Sequence, residues 1–209
     1  MVDWVTVSAL ATAGGTLVLA VATFASVRSS SKNARVAERA LMIGLRPLLL
    51  PSRPSDPDTP VGFADEFSVV VPGGGATADV TDEVIYLTLS IRNAGTGLAV
   101  LHGWHLSTSQ TGAQHAPAAD FAMHSRDMYV APSDLGFWQA AVRDPDAAEF
   151  AHLRAAIEVK DRFAVELLYG DLEGGQRTIS RFAFLPPGGD GTWTSAVSRH
   201  WHLDSPNPR

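Results

Sequence analysis

Apolar and polar positions divide the chain into two regimes. From Trp4 to Val27 every side chain is apolar or carries only a hydroxyl, and none of these 24 residues is ionisable. At ~1.5 Å of rise per residue a helix of this length spans ~36 Å, more than the ~30 Å of a hydrocarbon layer. The run predicts a single transmembrane anchor over residues 1–27. Its hydroxyls (Thr6, Ser8, Thr12, Thr16, Thr23 and Ser26) are tolerable in lipid because each can bond a carbonyl of the preceding turn. A cleaved signal peptide would show a basic n-region and an apolar core of about 7–15 residues. Here Met1-Val2-Asp3 has no Lys or Arg and the apolar run is longer, although Ala20-Val21-Ala22 has the small-x-small form of a cleavage site.

Ser29-Ser30-Ser31 reads as the cap of a second helix, roughly Lys32 to Leu45. Arg28, Lys32, Arg35 and Arg39 step by four, three and four residues, which stacks them on one helical face. Such a basic juxtamembrane helix over residues 28–45 suits the membrane surface, where each cation gains about 1 kcal/mol from anionic headgroups.

Beyond Pro47 the period changes from helical to two. Arg53–Gly62, with prolines at 54, 57 and 60, reads as an extended loop. Residues 67–71, 84–92, 98–107, 127–131, 135–142, 163–169, 177–185 and 192–203 read as strands, bounded by Gly, Pro and Asp turns. Thr77 falls in an expected exposed loop after Gly73-Gly74-Gly75. Within 84–92, Ile85, Leu87, Leu89 and Ile91 face one way and Tyr86, Thr88, Ser90 and Arg92 the other. Asp144-Pro145 predicts one short helix, with Asp144 as cap and Ala147, Phe150, Leu153 and Ile157 on its inner face. Residues 46–209 are thus expected to form one domain, an antiparallel β-sandwich.

Charge adds direction. Before the anchor there is only Asp3, whereas residues 28–46 carry five basic side chains against one acid. The positive-inside rule therefore expects a single-pass protein of the cell (inner) membrane, N-terminus outside and β domain cytoplasmic. Zero cysteines in 209 residues excludes a disulfide framework. Residues 47–209 carry eleven basic and twenty acidic side chains, a net −9. That balance repels a phosphate backbone and argues against nucleic-acid binding. Ser8, Ala11, Gly15, Ala22 and Ser26 share a face on which a second copy of the helix could pack, giving a homo-oligomer.

The most distinctive local motif is Ile91-Arg92-Asn93-Ala94-Gly95-Thr96-Gly97-Leu98-Ala99-Val100. Gly95 and Gly97 are expected to reverse the chain through positive φ, and Asn93 to hold the turn by bonding its downstream backbone. The motif resembles the Asn-x-Gly-x-Gly-x-Ala turn of immunoglobulin-like domains in a group of uncharacterised bacterial membrane-anchored proteins. Arg46-Pro47 and Tyr169-x-Asp171, followed by a Gly-rich hairpin, resemble the same group, with a departure at Leu98, where proline is frequent. The resemblance implies an immunoglobulin-like sandwich on an anchor and no activity.

Candidate chemistry centres on histidines. His200, His202 and Asp204 alternate along one strand and could converge on a metal. His102 and His105 join them only if a bulge near Gly103 turns both to one face. For nucleophilic catalysis there is no Cys, no Gly-x-Ser-x-Gly elbow and no evident serine–histidine pair, and no phosphate-binding Gly-x-x-x-x-Gly-Lys loop occurs. Gly73–Gly75 and the Asp171/Glu173 hairpin read as turns. In Phe137-Trp138 one ring must point inward and the other outward, where it could anchor a partner. The expectation is a protein-interaction or scaffolding module without catalytic activity or cofactor, in contact with the lipid bilayer and another protein. The alternative is a metal sensor or metal-dependent enzyme built on the histidine strands.

Overall fold

A computed structural model describes residues 3–107, 112–188 and 191–204. The chain forms two compact units, a helical one ending at Gly44 and a β unit beginning at Leu45.

The helical unit is one unbroken helix, α1 (Trp4–Gly44), of 41 residues, about 60 Å long at 1.5 Å per residue. The expected break at Ser29–Ser31 is absent. Ser31 Oγ donates instead to the Arg28 carbonyl at 3.0 Å, so the serine bonds back along the helix and starts no new one. Ser8, Thr12, Thr16 and Thr23 do the same at 2.8–2.9 Å. The helix contains a stretch long and apolar enough to cross a membrane, none of it buried within the protein. Arg28, Lys32 and Arg35 are exposed along it; the side chain of Arg39 lies outside the described set.

The β unit contains β1 (Leu49–Pro51), β2 (Thr59–Gly62), β3 (Ser68–Val71), β4 (Gly75–Val80), β5 (Ile85–Asn93), β6 (Ala99–Ser107), β7 (Ala122–Val130) and β8 (Leu135–Val142). After the helix α2 (Ala148–Glu158) come β9 (Phe163–Gly170), β10 (Thr178–Leu185) and β11 (Trp193–His202). Two strands were not legible as such. β2 contains Pro60 and survives because it pairs only with β3, in a separate two-stranded ribbon. β4, Gly-Ala-Thr-Ala-Asp-Val, has little intrinsic strand preference and is recruited by pairing with β5. Thr77 therefore lies in a strand, its hydroxyl 2.7 Å from that of Thr88. α2 starts one turn later than expected, at Ala148 with Ala147 as an uncapped N-cap. Asp144 instead closes the turn before it, accepting the Ala147 N–H on its carbonyl and the Asp146 N–H on its carboxylate.

All main strands belong to one nine-stranded antiparallel sheet, in the order β1-β5-β4-β11-β10-β9-β6-β7, with β8 on the other side of β5. The sheet curls into a half-barrel, where two separate sheets were expected. Its inner face is apolar: Ile85, Leu87, Leu89 and Ile91 of β5, Val165 and Leu167 of β9, and Phe182 and Phe184 of β10 are fully buried there with Trp138. Phe150 and Leu153 bring α2 onto the same core. Thr88 and Ser90, on the opposite face of β5, are also fully buried. Ser52 Oγ donates to Ser90 Oγ at 2.6 Å beneath the loop that follows β1.

Candidate functional site

Alternation along β11 puts His200 and His202 on one face, as their spacing predicts, but each is committed to β10. His200 Nδ1 lies 2.6 Å from Ser180 Oγ and His202 Nδ1 lies 3.4 Å from Thr178 Oγ1. Asp204 turns away to Arg177, accepting its backbone N–H at 2.6 Å and its guanidinium at 2.9 Å. Burial, then the Arg46 guanidinium, push His202 below the ordinary histidine range. A register shift does fall at His102, between Leu101 and Gly103, yet His102 and His105 reach different surroundings. His102 Nε2 faces Gly170, whereas the His105 ring packs against Phe121. Among the described residues no three His, Cys, Asp or Glu side chains are grouped to hold a metal.

One pairing was missed. Ser180 and His200 form the serine–histidine contact that no sequence spacing revealed, because 20 residues and a strand register separate them. The contact extends to Tyr169, whose Oη lies 2.8 Å from Ser180 Oγ and accepts the Leu49 N–H at 3.2 Å. Burial pushes the Tyr169 phenol up to about 12, so it stays protonated. Ser180 is fully buried. A nucleophile must meet its substrate, and this hydroxyl instead ties β1 to β9, β10 and β11.

A second missed pair is Glu166 with Arg181, which face each other across β9 and β10. Both are at least 98% buried. Arg181 Nε and Nη2 donate to Glu166 Oε1 at 2.9 and 2.6 Å. Its remaining donors reach the carbonyls of Gly112 and Gln114 at 2.8 and 2.6 Å. Glu166 Oε2 accepts the Ala116 N–H at 2.9 Å, and the guanidinium lies 4.9 Å over Trp201. The pair clasps residues 112–116 against the outer face of the sheet, with its charges hydrogen-bonded as burial demands.

The sheet ends in two strands that are consecutive in sequence, β7 and β8, joined by Ala131–Asp134 and not paired to each other. Between them lies a cavity of about 390 Å³, lined by Trp104, His124, Arg126, Met128, Gln139 and Ala140 among others. Arg126 Nη2 reaches across to Gln139 Oε1 at 2.9 Å. Near the end of β8, Arg143 pairs with Asp65 at 2.8 Å. Tyr86 and Arg143 hold the Asp65 carboxyl down to about 2. His124 is pushed down to about 4, first by burial and then by the nearby charges of His102 and Arg126.

The two adjacent aromatics of β8 differ in burial, as alternation requires. Trp138 is fully buried, edge-on to Trp104 at 5.8 Å, so it offers a partner nothing. Phe137 is half-buried against the rim of the core. What β8 leaves unpaired by any described strand is its second backbone edge, a feature that side-chain alternation does not report. A further groove of about 590 Å³ runs beneath α2, between Leu153, Ala156 and Val159 and the end of β6 at Leu106.

The chain matches no protein family and no curated protein. Among solved structures it is similar to a protein from Archaeoglobus fulgidus, at 14% identity over 63% of this chain and 94% of that one, with a TM-score of 0.25. It is also similar to a beta-glucosidase from Kluyveromyces marxianus, at 13% identity over 60% of this chain and 14% of that one, with a TM-score of 0.22. Similarity of this degree carries nothing over to the present chain.

Proposed function

We propose that this protein is a membrane-anchored interaction module. α1 holds it in the cell (inner) membrane, and an immunoglobulin-like β domain on the cytoplasmic side recruits another protein without catalysis. The anchor reading draws on the unburied apolar stretch of α1. The orientation draws on Arg28, Lys32, Arg35 and Arg39 following it, which also lie where anionic headgroups attract cations. The immunoglobulin-like assignment draws on the Asn93 turn and on strands that pack their inner faces over one core.

The observation that carries the interaction reading is the β8 edge. Eight residues, Leu-Gly-Phe-Trp-Gln-Ala-Ala-Val, pair with β5 on one side only and include no charge and no proline. Proteins that keep such edges unpaired usually blunt them with charges, prolines or bulges, and a bare edge is a template for an added strand. The test is a photo-crosslinking amino acid in place of Leu135 in the full chain, illuminated in intact membranes. A discrete protein adduct, diminished by Gln139→Pro, is expected. Uniform absence of protein adducts would contradict the reading.

A further inference from the structure

We infer that the cavity between β7 and β8 binds a small aromatic carboxylate, with the carboxylate on Arg126 and the ring against Trp104 and Met128. This goes beyond the interaction reading above and does not rest on it.

The charge of the cavity runs against that of the domain. Residues 47–209 carry a net −9, yet the cavity wall holds two arginines, Arg126 and Arg143, and no Asp or Glu among the described residues. The two arginines differ. Arg143 is already neutralised by Asp65 at 2.8 Å. Arg126 donates from Nη2 to the neutral Gln139 amide and takes part in no ion pair among the described residues. Its neighbour Asp127 stands beside Tyr129, and alternation sets both opposite to Met128, which lines the cavity.

The cavity is open at this charge and apolar beneath it. Arg126 is exposed, as are Met123 and Ser125 beside it. Deeper in the wall, Met128 and Ala140 are more than nine-tenths buried. Trp104 completes this part, edge-on to the buried Trp138 at 5.8 Å. The wall also holds an unmet hydrogen-bonding group: His124 Nε2 is buried and has no partner among the described residues, which calls for an explanation in a folded protein.

A charged mouth over an apolar floor selects a ligand divided in the same way. A guanidinium meets a carboxylate through two parallel hydrogen bonds, and an indole with a thioether beside it favours an aromatic ring. The volume of about 390 Å³ is that of a pocket for a small organic molecule. An inorganic anion would leave the floor unmatched, and a neutral aromatic would leave the guanidinium unmatched.

The methionines make binding readable in place. The chain has four: Met123 and Met128 line the cavity, whereas Met1 and Met42 precede the β domain. The full chain in detergent micelles, isotope-labelled at the methionine methyls, is titrated by NMR with naphthoate, its uncharged isostere naphthamide, and acetate. The expected result is saturable movement of the Met123 and Met128 signals by naphthoate, with those of Met1 and Met42 unmoved. Naphthamide and acetate should bind more weakly. Arg126→Gln, a change at an exposed residue, should weaken naphthoate about tenfold or more. Arg126→Lys, which keeps the charge but loses the fork, should weaken it less. Absence of saturable movement of Met123 and Met128 below about 1 mM naphthoate overturns the inference. So does equal affinity for naphthamide or acetate, or undiminished binding in Arg126→Gln.

Discussion

Asn93 Oδ1 accepts the backbone N–H of Leu48 at 3.1 Å, across 45 residues of chain. The same amide accepts the Gly95 N–H at 2.9 Å and donates to the carbonyls of Gly97 and Val130 at 2.6 and 3.1 Å. One fully buried side chain thus joins the entry into β1, the β5–β6 turn and the end of β7. Asn93→Ala leaves several buried backbone groups unpaired, each costing about 1–3 kcal/mol. A loss of roughly 2–4 kcal/mol in equilibrium urea unfolding is expected. A loss below 1 kcal/mol would show that water replaces the amide.

Gly95 and Gly97 were expected to serve the turn through positive φ, and neither adopts it. A Cβ on Gly95 would overlap the Arg46 carbonyl, and one on Gly97 the Leu45 carbonyl. The glycines let the incoming chain lie against the turn. Gly97→Ala and Gly97→Asn should therefore destabilise alike. Rescue by Asn, the non-glycine residue that best tolerates positive φ, would restore the turn explanation.

Glu166 and Arg181 predict a coupled loss. Breaking a buried pair from one side leaves the other charge uncompensated, at about 3–5 kcal/mol. Glu166→Met and Arg181→Met should each destabilise on that scale and expose residues 112–116 to proteolysis. The double variant Glu166→Met/Arg181→Met should cost clearly less than the two single losses combined. Strict additivity in the cycle would mean that the two side chains do not act together.

His124 sets a pH dependence. Its imidazole is held at about 4 in the folded chain, against 6.5 for the free side chain. Between those values the unfolded chain binds a proton that the folded chain refuses. The contribution is complete above pH 6.5 and is lost as pH falls towards 4. Allowing for partial exposure, it amounts to roughly 1–2 kcal/mol. Urea unfolding should show this slope in the wild type and a flatter one in His124→Leu. Equal slopes would assign the acid sensitivity elsewhere. The Asp65 carboxyl titrates below this window, near 2.

Much of the domain could be read from alternation. β8 was bounded correctly, and β5, β9 and β10 nearly so, because each buries large residues at a period of two. β4 is a strand only because β5 offers it a ladder, and no propensity of Gly75–Val80 announces that. The serines after the anchor carried two meanings, cap or back-bond, and only the unbroken helix distinguishes them. Ser180–His200 and Glu166–Arg181 depend on strand register, which a single chain does not display. The same holds for the free edge of β8, a property of what lies beside the strand and not of its side chains.

The central claim is an anchored domain on the cytoplasmic side, and a single labelled cysteine tests it. Leu172, in the β9–β10 turn and 70% exposed, offers the site. Leu172→Cys in the full chain is treated with a membrane-impermeant maleimide in intact and in lysed cells, after confirming that the protein stays in the membrane fraction through alkaline extraction. The account predicts protection in intact cells and full labelling on lysis. Labelling in intact cells, or release from the membrane by alkali, would contradict it.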